Sequence, residues 1–498
     1  LSASAATSPF RHRGLVEGFY GTPWSHADRL WWVARAGRLG LNTFVVAPKD
    51  EPLLGAEWRT PFPPELLERF RELVEAGSRC GVRVGFALSP GLSIRYAEAG
   101  ERDALFAKFA RLEAIGVRFH TLALDDVASE LQHPGDRARF RSLAEAQLLL
   151  LRELRERLDP ASTLWLVPTE YAGLEPSQAL ARLGEGLPEG VEVAWTGRSV
   201  FSPRITSEEV ARRAEALGRP LLLFDNVPVT DGPLRILLQL GAYQGRDPGL
   251  ARHCSGILLN PMQHAHASAV MLGTAAAWMA QPETYQAEAS WEAVVEELGA
   301  GAPEAFRCFA RAHRFGPLSP EDRDLPLEAA LRGLADSGPA ADRTASQAVE
   351  ALLEERLAAA ETLRRDLQDR QLLAEIEPWL TAHHDETRRM HAASKALVQL
   401  RAADLSELAR CLALVRMEGA LTRIPQGVVT SYGPRRLLVP QLASMRERNA
   451  HFGTDPTLFI DHSLAETWID FVEEEGLRVL GGELSRGRPF GARSAAAR

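Results

Sequence analysis

Cysteine is scarce. The 498-residue chain has four, Cys80, Cys254, Cys308 and Cys411, with no C-x-x-C or other metal-ligand spacing among them. That excludes a disulfide framework and a cysteine-built metal knuckle, and reads as thiols packed in a core. Long apolar runs are missing too: none approaches the ~20 residues needed to cross a bilayer. The opening Leu-Ser-Ala-Ser-Ala-Ala lacks the basic-then-apolar pattern of a secretory signal. These absences favour a cytoplasmic protein over a secreted one, and the missing initiator Met leaves room for a segment already removed. Positive charge is short: 57 Lys and Arg against 66 Asp and Glu give −9. A chain of that sign has no global electrostatic reason to bind nucleic acid or an anionic membrane. What is present, 45% hydrophobic and 25% charged residues, is the balance of an ordinary globular protein.

The length admits about three domains, or one large α/β barrel with a companion. Over the first 285 residues, short β-prone apolar runs alternate with longer amphipathic patterns. The runs fall at 15–19, 42–47, 82–88, 119–124, 163–167, 191–195, 220–224 and 256–259. Between them lie segments such as PELLERFRELVEAGSRC, with apolar residues at i, i+3, i+4 and i+7. Near-continuous apolar strands separated by such helices indicate a parallel sheet covered by helices. Eight units predict a closed (β/α)8 barrel, and no Gly-rich dinucleotide fingerprint follows any strand to favour an open sheet. From about residue 285, strand-like runs vanish and Ala, Leu, Glu and Arg dominate. Helical spacing covers 345–370, then 372–400 with a break expected at Pro378, then 405–423. The expected organisation is an extension over 1–12, an α/β barrel over 13–285, a mostly helical domain over 286–484 and a frayed Ala-, Gly- and Arg-rich tail over 485–498. The Ala/Leu-rich helices of the 286–484 domain could pair between chains in a homo-oligomer.

The carboxyl ends of barrel strands converge on one face, where chemistry is built. Here they carry Glu17-Gly18-Phe19-Tyr20-Gly21, Pro48-Lys49-Asp50, Asp125-Asp126, Thr169-Glu170-Tyr171, Trp195-Thr196-Gly197, Asp225-Asn226 and Asn260. Any one could be a helix cap or turn residue; polar groups at seven of eight ends point to an active site. Asp125-Asp126 is the sharpest feature. Adjacent carboxylates at a low-dielectric mouth raise the pKa of at least one, which suits a general acid beside an ionised partner. A capping pair or a divalent-metal site would read the same way. For a metal, His264 and His266 form an H-x-H pair past the last strand, but the sequence offers no obvious set of further ligands, and no metal or cofactor is expected. His383, His384 and His391 fall in the helical segment and read as solvated.

Taken together, the segments from Val16 to Trp24, Ala47-Pro48-Lys49-Asp50, Leu124-Asp125-Asp126, Pro168-Thr169-Glu170-Tyr171, Trp195-Thr196-Gly197, Asp225-Asn226 with Asp231, and Leu259-Asn260-Pro261 resemble glycoside hydrolase family 84. That family holds O-GlcNAcases and bacterial β-N-acetylglucosaminidases. The resemblance covers about residues 13 to 285, and the helical segment matches the family's helical domain by composition only. It implies a retaining exo-glycosidase that removes terminal β-linked GlcNAc from a glycoprotein or glycan, with no nucleic-acid or membrane partner. The implied mechanism is substrate assistance, in which the sugar's 2-acetamido oxygen is the nucleophile and an oxazoline the intermediate, an exception to the two-carboxylate scheme. Asp125 would then orient the acetamido N–H and Asp126 would act as acid and base. Gly18, Lys49, Tyr171, Phe224, Asp225, Asn226, Asp231 and Asn260 would bind the sugar. Phe224 stands where the family often has Trp, Gly232 where an aromatic is common, and Pro261-Met262-Gln263-His264 departs from the usual acidic, Asn-rich stretch. A GlcNAc-recognising protein without turnover, or a metal-dependent barrel hydrolase, are the competing readings.

Overall fold

The structure is a computed structural model that describes residues 8–125, 127–231, 234–235, 237–314, 324–337 and 343–401, with 468, 469, 471, 472 and 475. Asp126, Gly232, Cys411, the 405–423 helical pattern and the 485–498 tail lie outside the described residues. Among the described residues, no helix is long and apolar enough to cross a membrane. Two compact units divide the chain, one including 8–234 and 242–290, the other 235–241 and the described residues from 291 onward.

In the first unit, strands β1 (His12–Glu17), β2 (Thr43–Val46), β3 (Arg83–Leu88), β4 (Phe119–Ala123), β5 (Thr163–Val167), β6 (Val191–Trp195), β7 (Leu221–Asp225) and β8 (Cys254–Leu259) pair in sequence order. All pairings are parallel, and β8 returns to β1 to close the barrel. Helices α1 (His26–Arg38), α2 (Pro64–Cys80), α3 (Ala99–Ala114), α4 (Pro134–Arg139), α5 (Leu143–Arg157), α6 (Gln178–Gly186), α7 (Ser207–Leu217) and α8 (Ala269–Ala280) lie between and after the strands. The (β/α)8 expectation is met, strand by strand. Helix starts are encoded locally: Ser25 with Asp28, and Thr206 with Glu209, form reciprocal capping boxes that satisfy orphan N–H groups at the first turn.

Alternate strand residues fill the barrel: Val16, Val45, Phe119, Ala123, Trp165, Val167, Ala194, Leu222, Phe224 and Leu258 form one buried cluster. The interior is a packed core rather than a pore. Strand β1 begins at His12, earlier than its apolar run, because polar residues seal the base. His12 is fully buried, with Nε2 at 2.9 Å from Glu192 and Nδ1 at 2.8 Å from Arg83. Glu192 also accepts from Arg11 at 2.6 Å and from Ser255. Gly14 follows because β2 leaves no room for a side chain there: a Cβ would lie 1.7 Å from the Thr43 carbonyl oxygen.

The second unit contains α9 from Trp291 (Ala287–Leu298), α10 (Pro303–Ala312), α11 (Leu325–Asp336), α12 (Arg343–Asp366) and α13 (Arg370–Arg401). Its core packs Leu331, Leu334, Leu353, Met390, Leu397 and Trp468. Two expectations are corrected here. Helix α13 runs through Pro378 without a break. The proline is exposed while Ile376, Trp379 and Leu380 are buried, so the carbonyl it frees faces water and apolar packing holds the helix together. His383 is not solvated but fully buried, 3.3 Å from Arg356 and edge-on to Phe309 at 5.5 Å. Its position explains this: 376, 380, 383, 387, 390, 394 and 397 form one buried helical stripe. Cys254 is buried, Cys80 and Cys308 are half-buried, and none of the three is bonded to another.

Candidate active site

The β4 strand ends at Ala123, and Leu124 leads into Asp125. Three bonds fix this turn. Leu124 N–H donates to Val167 O at 2.8 Å, and the Thr169 hydroxyl donates to Leu124 O at 2.9 Å. Thr169 in turn accepts from Gln147 Nε2 of α5 at 3.0 Å. Leu124, just before Asp125, is therefore held at its N–H by Val167 and at its carbonyl by Thr169. Against the Asp125 carboxylate stands the Lys49 ammonium from the loop that follows β2, in direct contact. Both are largely shielded from water, so little solvent screens the pair.

Gly18, Lys49, Asp125 and Phe224 line one cavity of about 200 Å3, with Val16, Thr121, Trp165 and Val167 beneath and Leu54, Gly55 and Ala56 at the side. Gly18 is closely packed: a Cβ there would meet Phe224 Cζ at 2.8 Å, so the ring would have to move. Asp125 also faces a broader groove of about 1200 Å3, lined by Tyr171, Thr169, Phe140, Leu143 and Arg141 among others. Tyr171 packs against the barrel's inner cluster, and its carbonyl accepts from Thr196 N at 2.9 Å.

Asn226 and Asn260 are linked. Gly18 N–H donates to Asn260 Oδ1 at 3.1 Å, Asn260 Nδ2 to Asn226 Oδ1 at 3.0 Å, and Asn226 Nδ2 to Val200 O at 2.8 Å. The amides thus tie the ends of β1, β7 and β8 into one rim. Asp231 accepts from Tyr20 N at 2.9 Å, while Gln263 donates to Tyr20 O at 2.5 Å, so the exposed Tyr20 ring stands on a backbone held from two loops. Asp225 differs from the rest. It is fully buried, bidentate to Arg246 at 2.5 and 2.8 Å, and accepts from Tyr243 Oη at 2.7 Å. Burial and the neighbouring carboxylate push the Tyr243 hydroxyl far above its ordinary range.

Several contributors carry no mark in the sequence. Arg246, Tyr243, Gln147 and Gln263 come from loops or helix faces whose partners are set only by the closed barrel. Glu17, at the end of β1, is fully buried on Arg29, with bonds of 2.7 and 2.8 Å, and accepts from Trp24 N at 3.0 Å. The H-x-H pair is divided: His266 stacks on Trp31 with ring centroids 4.0 Å apart, and burial lowers His264 to about 4.

Residues 13–311 match the family described as β-N-acetylglucosaminidase. The chain belongs to that family. Within this family, it is 32% identical over 271 residues to the protein O-GlcNAcase of Rattus norvegicus and to that of Mus musculus. Those matches cover 53% of this chain and 29% of each relative, so the matched segment spans less than a third of the curated proteins. Among solved structures, a mutant of the Thermobaculum terrenum O-GlcNAc hydrolase superposes with a TM-score of 0.79 at 28% identity, covering 97% of this chain and all of the other. CpGH84B, at 24% identity and a TM-score of 0.75 over 85% of this chain and 75% of its own, shares the fold. The resemblance to glycoside hydrolase family 84 drawn from the strand-end motifs is thereby shown.

Proposed function

We propose that this chain is a retaining exo-β-N-acetylglucosaminidase, acting on terminal β-linked GlcNAc carried by protein or glycan through substrate assistance. The observation that carries this reading is Asp125 at the inner edge of a cavity of about 200 Å3, paired with Lys49 and opposite Gly18. In the proposed reaction the acetamido carbonyl oxygen attacks the anomeric carbon while Asp125 accepts the acetamido N–H. Asp126 protonates the departing glycosidic oxygen, and the C1–O bond breaks to leave an oxazoline. Asp126 then takes a proton from water, whose oxygen attacks C1 and reopens the ring with retention as the nitrogen regains its proton from Asp125. Successive strand-end residues diverge enough for one carboxylate to reach the acetamido group and the other the glycosidic oxygen.

Lys49, Tyr171, Asn226, Asp231 and Asn260 would hold sugar hydroxyls and the acetamido group, with Phe224 as the apolar wall. A sugar pocket needs such fixed polar groups on an apolar platform. The buried Asp225 we assign to positioning: its pair with Arg246 fixes the end of β7 and the adjoining Asn226. An ammonium lying on Asp125 also repels a cation, which weighs against the metal-dependent reading, so a chelator should leave the rate unchanged.

The deciding assay compares an activated aryl β-GlcNAc with its GalNAc and glucose analogues. Hydrolysis of the glucose analogue at a comparable rate would refute substrate assistance, since it has no acetamido nucleophile. No turnover of the GlcNAc compound would favour a binding protein. Asp126→Asn should slow poor leaving groups ~10²-fold or more and activated aryl groups far less, because only the former need a proton. Asp125→Asn should slow both; a variant with nearly full activity would remove its assigned role.

A further inference from the structure

The loop 47–63 between β2 and α2 carries Lys49, and its Leu54, Gly55 and Ala56 wall the sugar cavity. Loops at a barrel mouth are commonly the mobile part of a site, yet this one is fastened to helix α3 and the turn before it. Lys108 of α3, only 3% exposed, donates its ammonium to Leu53 O and lies 4.2 Å above the Phe62 ring. Arg59 donates to Glu101 of α3 and to Ser93 O at 2.6 Å, and stacks on Trp58 at 4.2 Å. Trp58 is itself fully buried, its indole N–H on Ser93 Oγ at 3.1 Å. Ser89 N–H adds a bond of 2.8 Å to Leu54 O. Two cations of the clamp thus each sit on an aromatic face of the loop while bonding its backbone or a facing carboxylate, and for Lys108 burial strengthens the combination. Lys108 interrupts a helix face otherwise formed by Leu105, Phe109 and Leu112, a costly place for a charge without a role.

We propose that Lys108 is a positioning residue for the sugar site: with the Arg59–Glu101 pair it pins the 47–63 loop as a fixed cavity wall and so sets Lys49 against Asp125. The inference rests on the glycosidase reading for its kinetic consequence, but the pinning stands on its own geometry. The charged groups facing Lys108 from the loop are Glu51 and Glu57, with Arg59 and Glu101 neutralising each other beyond them. Burial lowers Lys108 to about 8. Its charge, and with it the grip on Leu53 O and Phe62, is therefore present at pH 7 and lost as the pH rises past that value.

Lys108→Met keeps the length of the stem and removes the donor and charge. It should raise KM for an aryl GlcNAc about tenfold with kcat within threefold of wild type. Amide exchange over 52–60, where Leu54, Gly55, Glu57 and Trp58 are bonded within the loop, should quicken at least tenfold. Lys108→Arg should restore both, and should abolish the wild-type rise in KM between pH 7 and 9. Unchanged exchange in Lys108→Met, or the same alkaline rise in Lys108→Arg, would overturn the proposal. If Lys108→Met does not fold, Arg59→Gln reads the same two quantities, and an unchanged KM and exchange there would overturn it equally. A wild-type protein inactive on every GlcNAc substrate would refute the glycosidase reading instead, while exchange over 52–60 would still decide the pinning.

Discussion

At the scale of single residues, the site separates groups that face the cavity from groups that hold them. Asp225 is the test of that distinction. With Arg246 and Tyr243 it forms a buried, fully bonded triad, and removing one charge from such a pair leaves the other uncompensated in the interior. Asp225→Asn should lower unfolding free energy by about 3 kcal/mol or more, read by urea denaturation, and should reduce activity through misplaced Asn226. A variant with wild-type stability and a raised KM alone would make Asp225 a direct sugar ligand. The strand-end residues were legible because the carboxyl ends of parallel strands are where polar groups interrupt apolar runs. Arg246, Tyr243 and Lys108 were not, since their partners lie 18 to 55 positions away in sequence and no periodicity links them. Lys108 did leave a trace, as a charge on an apolar helix face.

At the scale of elements, the turn after β4 is the piece whose placement matters most. Thr169 Oγ fixes the Leu124 carbonyl and is itself fixed by Gln147. Thr169→Val preserves shape and removes both bonds, leaving the carbonyl and the buried amide without a partner. The expected result is a kcat reduced about 10- to 100-fold with KM nearly unchanged, and recovery in Thr169→Ser. Parallel kinetics with activated and poor leaving groups would show whether the loss follows Asp125, which affects both. Elements are legible in the sequence where geometry is local. Strands buried on both faces give continuous apolar runs, so all eight show in the sequence, whereas the start of β1 does not, because His12 looks like part of a polar extension until Glu192 is seen beside it. The break expected at Pro378 failed for a related reason: a proline on the wet side of a helix frees a carbonyl that water satisfies, and the buried stripe decides the outcome.

At the scale of the whole molecule, both units hold imidazoles that burial keeps neutral. His120 and His264 are lowered to about 4 and His313 to about 3, with His12 and His383 also below the ordinary value. An unfolded histidine takes up its proton near pH 6.5 while these do not. Stability is therefore complete above about pH 6.5 and falls as the pH drops toward 4, by about 1.4 kcal/mol per pH unit for each of His120, His264 and His313. Urea unfolding at pH 7 and pH 5 should show that loss, and His120→Gln should make it shallower; an equal slope in the variant would exclude His120 from the effect. The sealed base of the barrel has a different result. With His12, Glu192, Arg83 and Ser255 closing one end and Phe119 and Trp165 filling the middle, GlcNAc released by the proposed reaction has no back exit. It must depart through the same doorway the next substrate enters, so free GlcNAc should act as a competitive inhibitor, raising apparent KM and leaving the maximal rate untouched.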